Sequence, residues 1–300
     1  HQDFILINLG KKYNFPRGFP ILWIPGKMIK LFGFYPKFDN DDRQSPDTES
    51  EFDDVNNIQF FKKWSGYLGQ VCIFKLEDKL CWSCCSKNSA DYESEYVQGC
   101  KRLFEPFLTP INLSALLSQN YHLAAEMMSF NDQKHGARVL IETPVITSLG
   151  RGCLVHLDGS SPNIITQNMV DFIPHQPLVE FCREHSLPCD SAIIITNGNA
   201  SAFMKELSAE RDFMTNDKLN ALIEKNSEKV TIIEGTVRHQ DILGNVLEGL
   251  VVKATKSNGQ RLTKKYKFPY YTVRTMALRE LIKNSGPFNL INPRIDEVGF

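Results

Sequence analysis

An α+β fold with largely antiparallel sheets flanked by helices is predicted by three observations on this 300-residue chain. Strand-length apolar runs and amphipathic helical runs are mixed, without the regular strand-helix-strand alternation of a doubly wound sheet. A hairpin signal spans residues 71–86, and a second strand pair, at 250–254 and 262–268, precedes a helix over 271–284.

Taken in order, residues 71–74 and 80–86 read as hairpin strands joined through Glu77-Asp78-Lys79. Lys63 then stands just before the first strand, at a sheet edge. A short helix is expected around 113–117 and strands at 121–128, 153–157 and 192–196. Apolar residues recur at helical spacing over 176–185, 201–211 and 216–226. Residues 130–150 and 197–230 carry no interpretable motif and are expected to be insertions or connecting elements.

Composition narrows the class. The chain is 42% apolar and 23% charged, with no apolar run of membrane-spanning length and no secretory leader pattern. A soluble, intracellular protein, cytoplasmic or nuclear, is the expectation. Its first residue is His1, so a fragment of a longer protein is also expected. Eight cysteines are too dilute for a disulfide scaffold. Cys81, Cys84 and Cys85 have no matching second pair, and Cys182, His185 and Cys189 fall on a helix and the loop after it; buried thiols are the simpler reading than zinc. Net charge is -1, but its distribution is uneven. Residues 249–279 hold eight Lys or Arg and no acid, a positive field suited to phosphates. Residues 39–54 hold eight acids against Arg43 and read as a solvated loop without a catalytic role.

Three segments carry the chemistry. Lys63-Trp64-Ser65-Gly66 comes first, then Glu248-Gly249-Leu250-Val251-Val252-Lys253, and twelve residues after Lys253 begins Lys265-Tyr266-Lys267-Phe268. A lysine amine can attack phosphorus, a carboxylate such as Glu248 suits magnesium, and lysines two apart on a strand share a face and can neutralise phosphates. Lys63 must shed its proton to attack; burial and the neighbouring charges of Lys265 and Lys267 are expected to lower its pKa. Gly66 would permit close backbone approach in the turn. Taken singly, each segment has a bland alternative: a solvated lysine pair, a turn-capping glutamate, an exposed strand face. Their order favours the functional reading.

This ordered trio resembles the KxxG, EGxVxK and KxK motifs of the covalent nucleotidyltransferases, the ATP-dependent ligases and messenger-RNA capping enzymes. The similarity is greatest to RNA ligases of the phage and fungal tRNA-repair type. Arg17-Gly18-Phe19 resembles their early RG segment, and Phe34-Tyr35-Pro36-Lys37-Phe38-Asp39-Asn40 their KFFN segment. Ser86-Lys87-Asn88-Ser89 is similar to SKxS, Leu123-Ala124-Ala125-Glu126 to the strand whose glutamate contacts the nucleotide sugar, and Cys153-Leu154-Val155-His156 to the fungal LYLHG strand. Lys265 to Tyr270, with Arg279-Glu280, resembles KYKF…PY…WRE.

The resemblance implies a ligase adenylation (nucleotidyltransferase) fold, with ATP and Mg2+ as cofactors. It implies that Lys63 takes AMP, that Arg17 and Lys37 handle the triphosphate, and that Lys87, Glu126, Glu248, Lys253, Lys265 and Lys267 line the site, with Glu248 toward the metal. It implies as partner an RNA with 5′-phosphate and 3′-hydroxyl ends, tRNA among them, and an end-healing kinase or phosphatase. Residues 1–300 are expected to form one adenylyltransferase domain, with an insert at about 160–245 and no C-terminal OB or RNA-specificity domain, since 33 residues follow Lys267. Ser65 departs from the Asp, Asn or His usual in relatives, and the strand that often supplies an adenine-stacking ring offers Val155 and His156. A capping guanylyltransferase or DNA ligase, and a catalytically silent RNA-binding module, are the competing readings.

Overall fold

The computed structural model describes residues 5–8, 20–24, 28–32, 55–132, 138–156, 171–196, 199–258 and 261–285, and among them lie three antiparallel sheets. The first runs β1 (Ile5–Asn8), β2 (Pro20–Ile24), β3 (Met28–Leu31) and β9 (Cys153–His156). The second runs β10 (Asp171–Phe172), β8 (Thr143–Arg151), β7 (Tyr121–Met128), β5 (Tyr67–Leu76) and β6 (Lys79–Ser86). The third runs β12 (Val230–Ile233), β11 (Ala192–Thr196), β4 (Val55–Lys62), β13 (Gly249–Lys256) and β14 (Arg261–Lys267). Seven α-helices join them among these residues: α1 (Glu95–Phe104), α2 (Pro110–Ser118), α3 (His175–Glu184), α4 (Ala200–Glu210), α5 (Asn216–Lys225), α6 (His239–Leu243) and α7 (Pro269–Ser285). The α+β class with antiparallel sheets and flanking helices is the one the sequence predicts.

Period-two patterning sets the layers. On the second sheet, Val71, Ile73, Leu123, Ala125 and Met127 point to α1 and α3, meeting Val97, Cys100, Phe104, Leu178 and Cys182. The alternate residues Cys72 and Phe74 pack on Leu22, Ile24 and Phe32 of the first sheet. On the third sheet, Ile58, Phe60, Ile193, Ile195, Leu250 and Val252 are covered by Phe203 and Leu207 of α4 and by Leu219 and Leu222 of α5. Phe60 is wholly buried there, which is worth roughly 2–3 kcal/mol. Thr109 and Thr215 cap α2 and α5, accepting from the backbone N–H groups of Asn112 and Lys218. The hairpin forms as predicted, with Leu76 opposite Lys79 and Glu77 in the left-handed region at φ 54°.

Three expectations are corrected. Residues 130–150 are not merely connecting: Thr143–Arg151 is an interior strand, paired with β7 and β10. Residues 197–230 are not merely an insertion: the helices predicted at 201–211 and 216–226 are α4 and α5, whose apolar faces complete the core of the third sheet. Lys63 does not sit at a sheet edge. It follows β4, the middle strand of the third sheet, at the point where the chain crosses to β5 in the second. No helix among the described residues is long and apolar enough to cross a membrane.

Candidate active site

Strand pairing gathers the distant motifs. β4 and β13 run side by side with Leu250 opposite Lys62, and β14 continues the ladder with Lys267 opposite Gly249. The Lys63 N–H donates to the Gly249 carbonyl at 2.8 Å, and the Phe268 N–H donates to the Glu248 carbonyl at 3.0 Å. All three motifs thereby meet at one end of the third sheet. Gly249 is required by this crossing: a Cβ there would fall 1.9 Å from the Tyr266 carbonyl oxygen. Gly66 answers a similar need, since its Cβ would lie 2.6 Å from the Met127 carbonyl oxygen as the turn passes β7.

Glu248 is the centre of the charge arrangement. Its carboxylate, 4% exposed, pairs with Lys63 Nζ through Oε2 at 3.1 Å and with Lys267 Nζ through Oε1 at 3.0 Å. Burial works against the Glu248 anion, but the two ammonium groups outweigh it and hold its pKa below the ordinary value. Burial likewise disfavours the Lys63 ammonium; the carboxylates of Glu248, chiefly, and Glu126 reverse the outcome, so that its pKa lies above that of an ordinary lysine. The expected lowering by Lys265 and Lys267 is therefore not what this arrangement produces. The physical reason is that Lys267 spends its charge on Glu248, which in turn stabilises the Lys63 ammonium.

The remaining predicted residues fall on the two surrounding sheets. Lys253 and Lys265 lie on the face of the third sheet that also carries Phe61 and Lys267, by their register with Gln59, Val251 and Thr263. Lys253 Nζ stands 4.5 Å from the Phe61 ring centroid. Lys62, one residue before the candidate nucleophile, points to the other face and donates to Asn220 Oδ1 at 2.8 Å. Glu126 lies on β7 opposite Leu68 and Val145, within electrostatic reach of Lys63. Lys87 follows β6 in a turn closed by the Ser86 N–H donating to the Ser89 carbonyl at 2.8 Å. Because Ser86 is opposite Gly69, this turn sits at the end of the second sheet where the Lys63–Gly66 turn enters β5. Arg17, Lys37 and the acidic stretch 39–54 lie outside the described residues.

β9, matched by resemblance to the LYLHG strand, pairs with β3 in the first sheet. The strands beside Glu126 are β5 and β8, the latter carrying Ser148 opposite Ala124. Two residues the motifs did not single out also frame the site. Tyr271 of α7, 3% exposed, shares a hydrogen bond between its hydroxyl and Ser65 Oγ, and burial pushes its pKa up to about 12. The signal for it was its position three residues after Phe268, on the first turn of the helix that follows the lysine strand. His239 of α6 lies behind the Lys63–Trp64 peptide, its ring centroid 4.4 Å from that of Trp64. No sequence signal marks it.

No family model and no curated protein matches the sequence. Solved structures do resemble the fold. An archaeal ATP-dependent RNA ligase superposes in its form 1 with a TM-score of 0.53 at 15% identity, over 97% of this chain and 62% of that one. In its form 2 the TM-score is 0.52 at 12% identity, over 90% of this chain and 57% of that one. A Naegleria gruberi RNA ligase mutant with ATP and Mn aligns more loosely, with a TM-score of 0.46 at 11% identity, over 81% of this chain and 59% of that one. The fold is thus the nucleotidyltransferase fold of the ATP-dependent ligases, with antiparallel sheets flanked by helices. This chain spans about three-fifths of the length of the archaeal ligase, 57% and 62% in its two forms.

Proposed function

We propose that this chain is the adenylyltransferase part of an ATP-dependent RNA ligase. The observation that carries the proposal is that Lys63 and Lys267 each stand within 3.1 Å of the Glu248 carboxylate in a ligase-type fold. The Lys63 amine, once deprotonated, attacks the α-phosphorus of ATP. A nitrogen–phosphorus bond forms, the bond to the bridging oxygen breaks, and pyrophosphate leaves with the electron pair. Lys265 and Lys267 face the negative charge that develops, Lys253 lies farther along the same face, and Lys87 lies at the neighbouring strand end. Arg17 and Lys37 are assigned to the triphosphate by resemblance.

Deprotonation is governed by Glu248. While it contacts Lys63 the ammonium is favoured; once its charge and that of Glu126 are drawn elsewhere, burial works against the ammonium and favours the amine. The residues fit a magnesium ion in that role. Glu248 and Glu126 both act on Lys63, and magnesium commonly takes one or two carboxylates together with substrate phosphates. Among the described residues no group of three His, Cys, Asp or Glu could hold a metal, so the phosphates would supply much of the coordination. When bound, the ion would shield charge on the attacked phosphate and on the leaving group.

The adenylate then passes to an RNA 5′-phosphate, and a 3′-hydroxyl displaces AMP to seal the strand. The positive stretch from Lys253 to Arg279 supports a polynucleotide partner, tRNA among the candidates, with its ends prepared by a kinase or phosphatase. The test is incubation with magnesium and ATP labelled at the α-phosphate, followed by denaturation. Acid-labile label on the wild type that is absent from Lys63→Ala is the expected result. Label from GTP alone would indicate capping, and none from either nucleotide would favour a silent RNA-binding module.

A further inference from the structure

We infer that His239 is a positioning residue for the candidate nucleophile, acting as a neutral imidazole that clamps the Lys63–Trp64 peptide from behind. The inference rests on the assignment of Lys63 as nucleophile and adds a part of the site on α6, outside the three motifs. Its geometry is specific. His239 Nε2 lies 3.4 Å from the Lys63 carbonyl oxygen, and its ring packs on the Trp64 indole at 4.4 Å between centroids and 40° between planes. The Lys63 N–H meanwhile donates to the Gly249 carbonyl at 2.8 Å. The backbone of the nucleophile is thus tied on one side to the glutamate strand and on the other to His239.

The tautomer follows from the neighbours. Asn216, wholly buried, turns its Nδ2 to the carbonyls of Gly244 at 2.7 Å and Val246 at 3.2 Å, and to His239 Nδ1 at 2.9 Å. Carbonyl oxygens only accept, so the amide nitrogen must face them; that nitrogen cannot itself accept, so the Nδ1 facing it carries no proton, the two amide hydrogens being shared among three acceptors. The ring proton is left on Nε2, directed at the Lys63 carbonyl. Burial, helped by the charge of Lys62, pushes the His239 pKa down to about 3, so the ring keeps this neutral form at physiological pH.

Positioning of this kind acts on the rate of the chemical step more than on ATP docking. The experiment compares wild type, His239→Ala and His239→Gln in single-turnover formation of lysyl-AMP across ATP concentrations, with thermal unfolding of each. The Gln amide can return an N–H close to the position of Nε2. His239→Ala is expected to lower the limiting rate about 10- to 100-fold with half-saturating ATP little changed, and His239→Gln to recover most of the rate. An unchanged rate in a folded His239→Ala protein overturns the inference. So does a joint fall of rate, ATP affinity and melting temperature that Gln fails to rescue, which would mark a purely structural residue. Imidazole nitrogen NMR of the wild type tests the clamp even if no label forms, a result that would instead sink the ligase assignment. It should show a proton on Nε2 alone from about pH 5 to about pH 8; a proton on Nδ1 in that range overturns the clamp.

Discussion

Replacing Glu248 by Gln removes one negative charge from between two ammonium groups at 3.1 and 3.0 Å, in a position 4% exposed. Breaking a buried pair by deleting one partner costs about 3–5 kcal/mol. Here the lysine side chains retain 18% and 32% exposure, and the Gln carbonyl still accepts one hydrogen bond, so solvent screening brings the expectation to about 2–3 kcal/mol. Urea unfolding at pH 7 should show that loss. The pH dependence supplies the sign. The native Glu248 pKa is depressed, so its contribution is present above its ordinary value of 4.5 and is lost as pH falls through the native pKa. Wild type and Glu248→Gln should therefore converge in stability in acid. In the variant Lys63 also loses the largest influence favouring its ammonium, so its amine should titrate at lower pH than in wild type, readable by NMR of labelled lysine. A stability difference below about 0.5 kcal/mol at pH 7, or an unshifted Lys63 titration, would refute the assignment of Glu248 as the group that holds both lysines.

Lys62→Ala should take label from ATP nearly as wild type does, because Lys62 faces Asn220 on the far side of the sheet; loss of labelling there would transfer the nucleophile role from Lys63. Gly249→Ala should lower the urea midpoint by the equivalent of about 3 kcal/mol or more, since its Cβ would meet backbone at 1.9 Å; a wild-type midpoint would contradict the close crossing of β13 and β14. Tyr271→Phe deletes the hydroxyl bonded to Ser65 and should cost about 1 kcal/mol in stability. It should also slow labelling, whereas equal rates would show that the Ser65 side chain needs no anchor. Burial pushes the Asp190 carboxyl up to about 7, against the Ser191 N–H that favours its anion. The native state thus keeps a proton that the unfolded chain releases above 3.8, and wild-type stability falls as pH rises from 3.8 to 7. Asp190→Asn should be the more stable protein at pH 8, by a few kcal/mol, with the gap closing toward pH 4; melting curves at the two pH values decide it.

Local chemistry wrote part of this protein plainly into its sequence. The strands expected at residues 121–128 and 192–196 are β7 and β11, and the hairpin through Glu77 closes where its turn residues stand. Lys265 and Lys267 share a face because strand side chains alternate, and Glu248 and Lys63 could be singled out by residue type and order. The strand β4 was missed because Asn56 and Asn57 interrupt its pattern, although Ile58 and Phe60 alternate into the core. Residues 143–151 were missed because an interior strand needs no polar alternation to mark it: nearly every residue of β8 is buried.

Tertiary structure alone decided how the charges balance. Whether Lys63 is pushed toward amine or ammonium depends on which neighbour comes within 3.1 Å, and that is set by the register of β4, β13 and β14. The Ser65–Tyr271 bond and the contact of His239 with the Lys63 carbonyl join side chains separated by 206 and 176 positions. Sequence fixes the chemical repertoire and the local periodicity through short-range sterics. Long-range packing fixes distance, and distance together with burial determines which proton stays and which carbonyl is held.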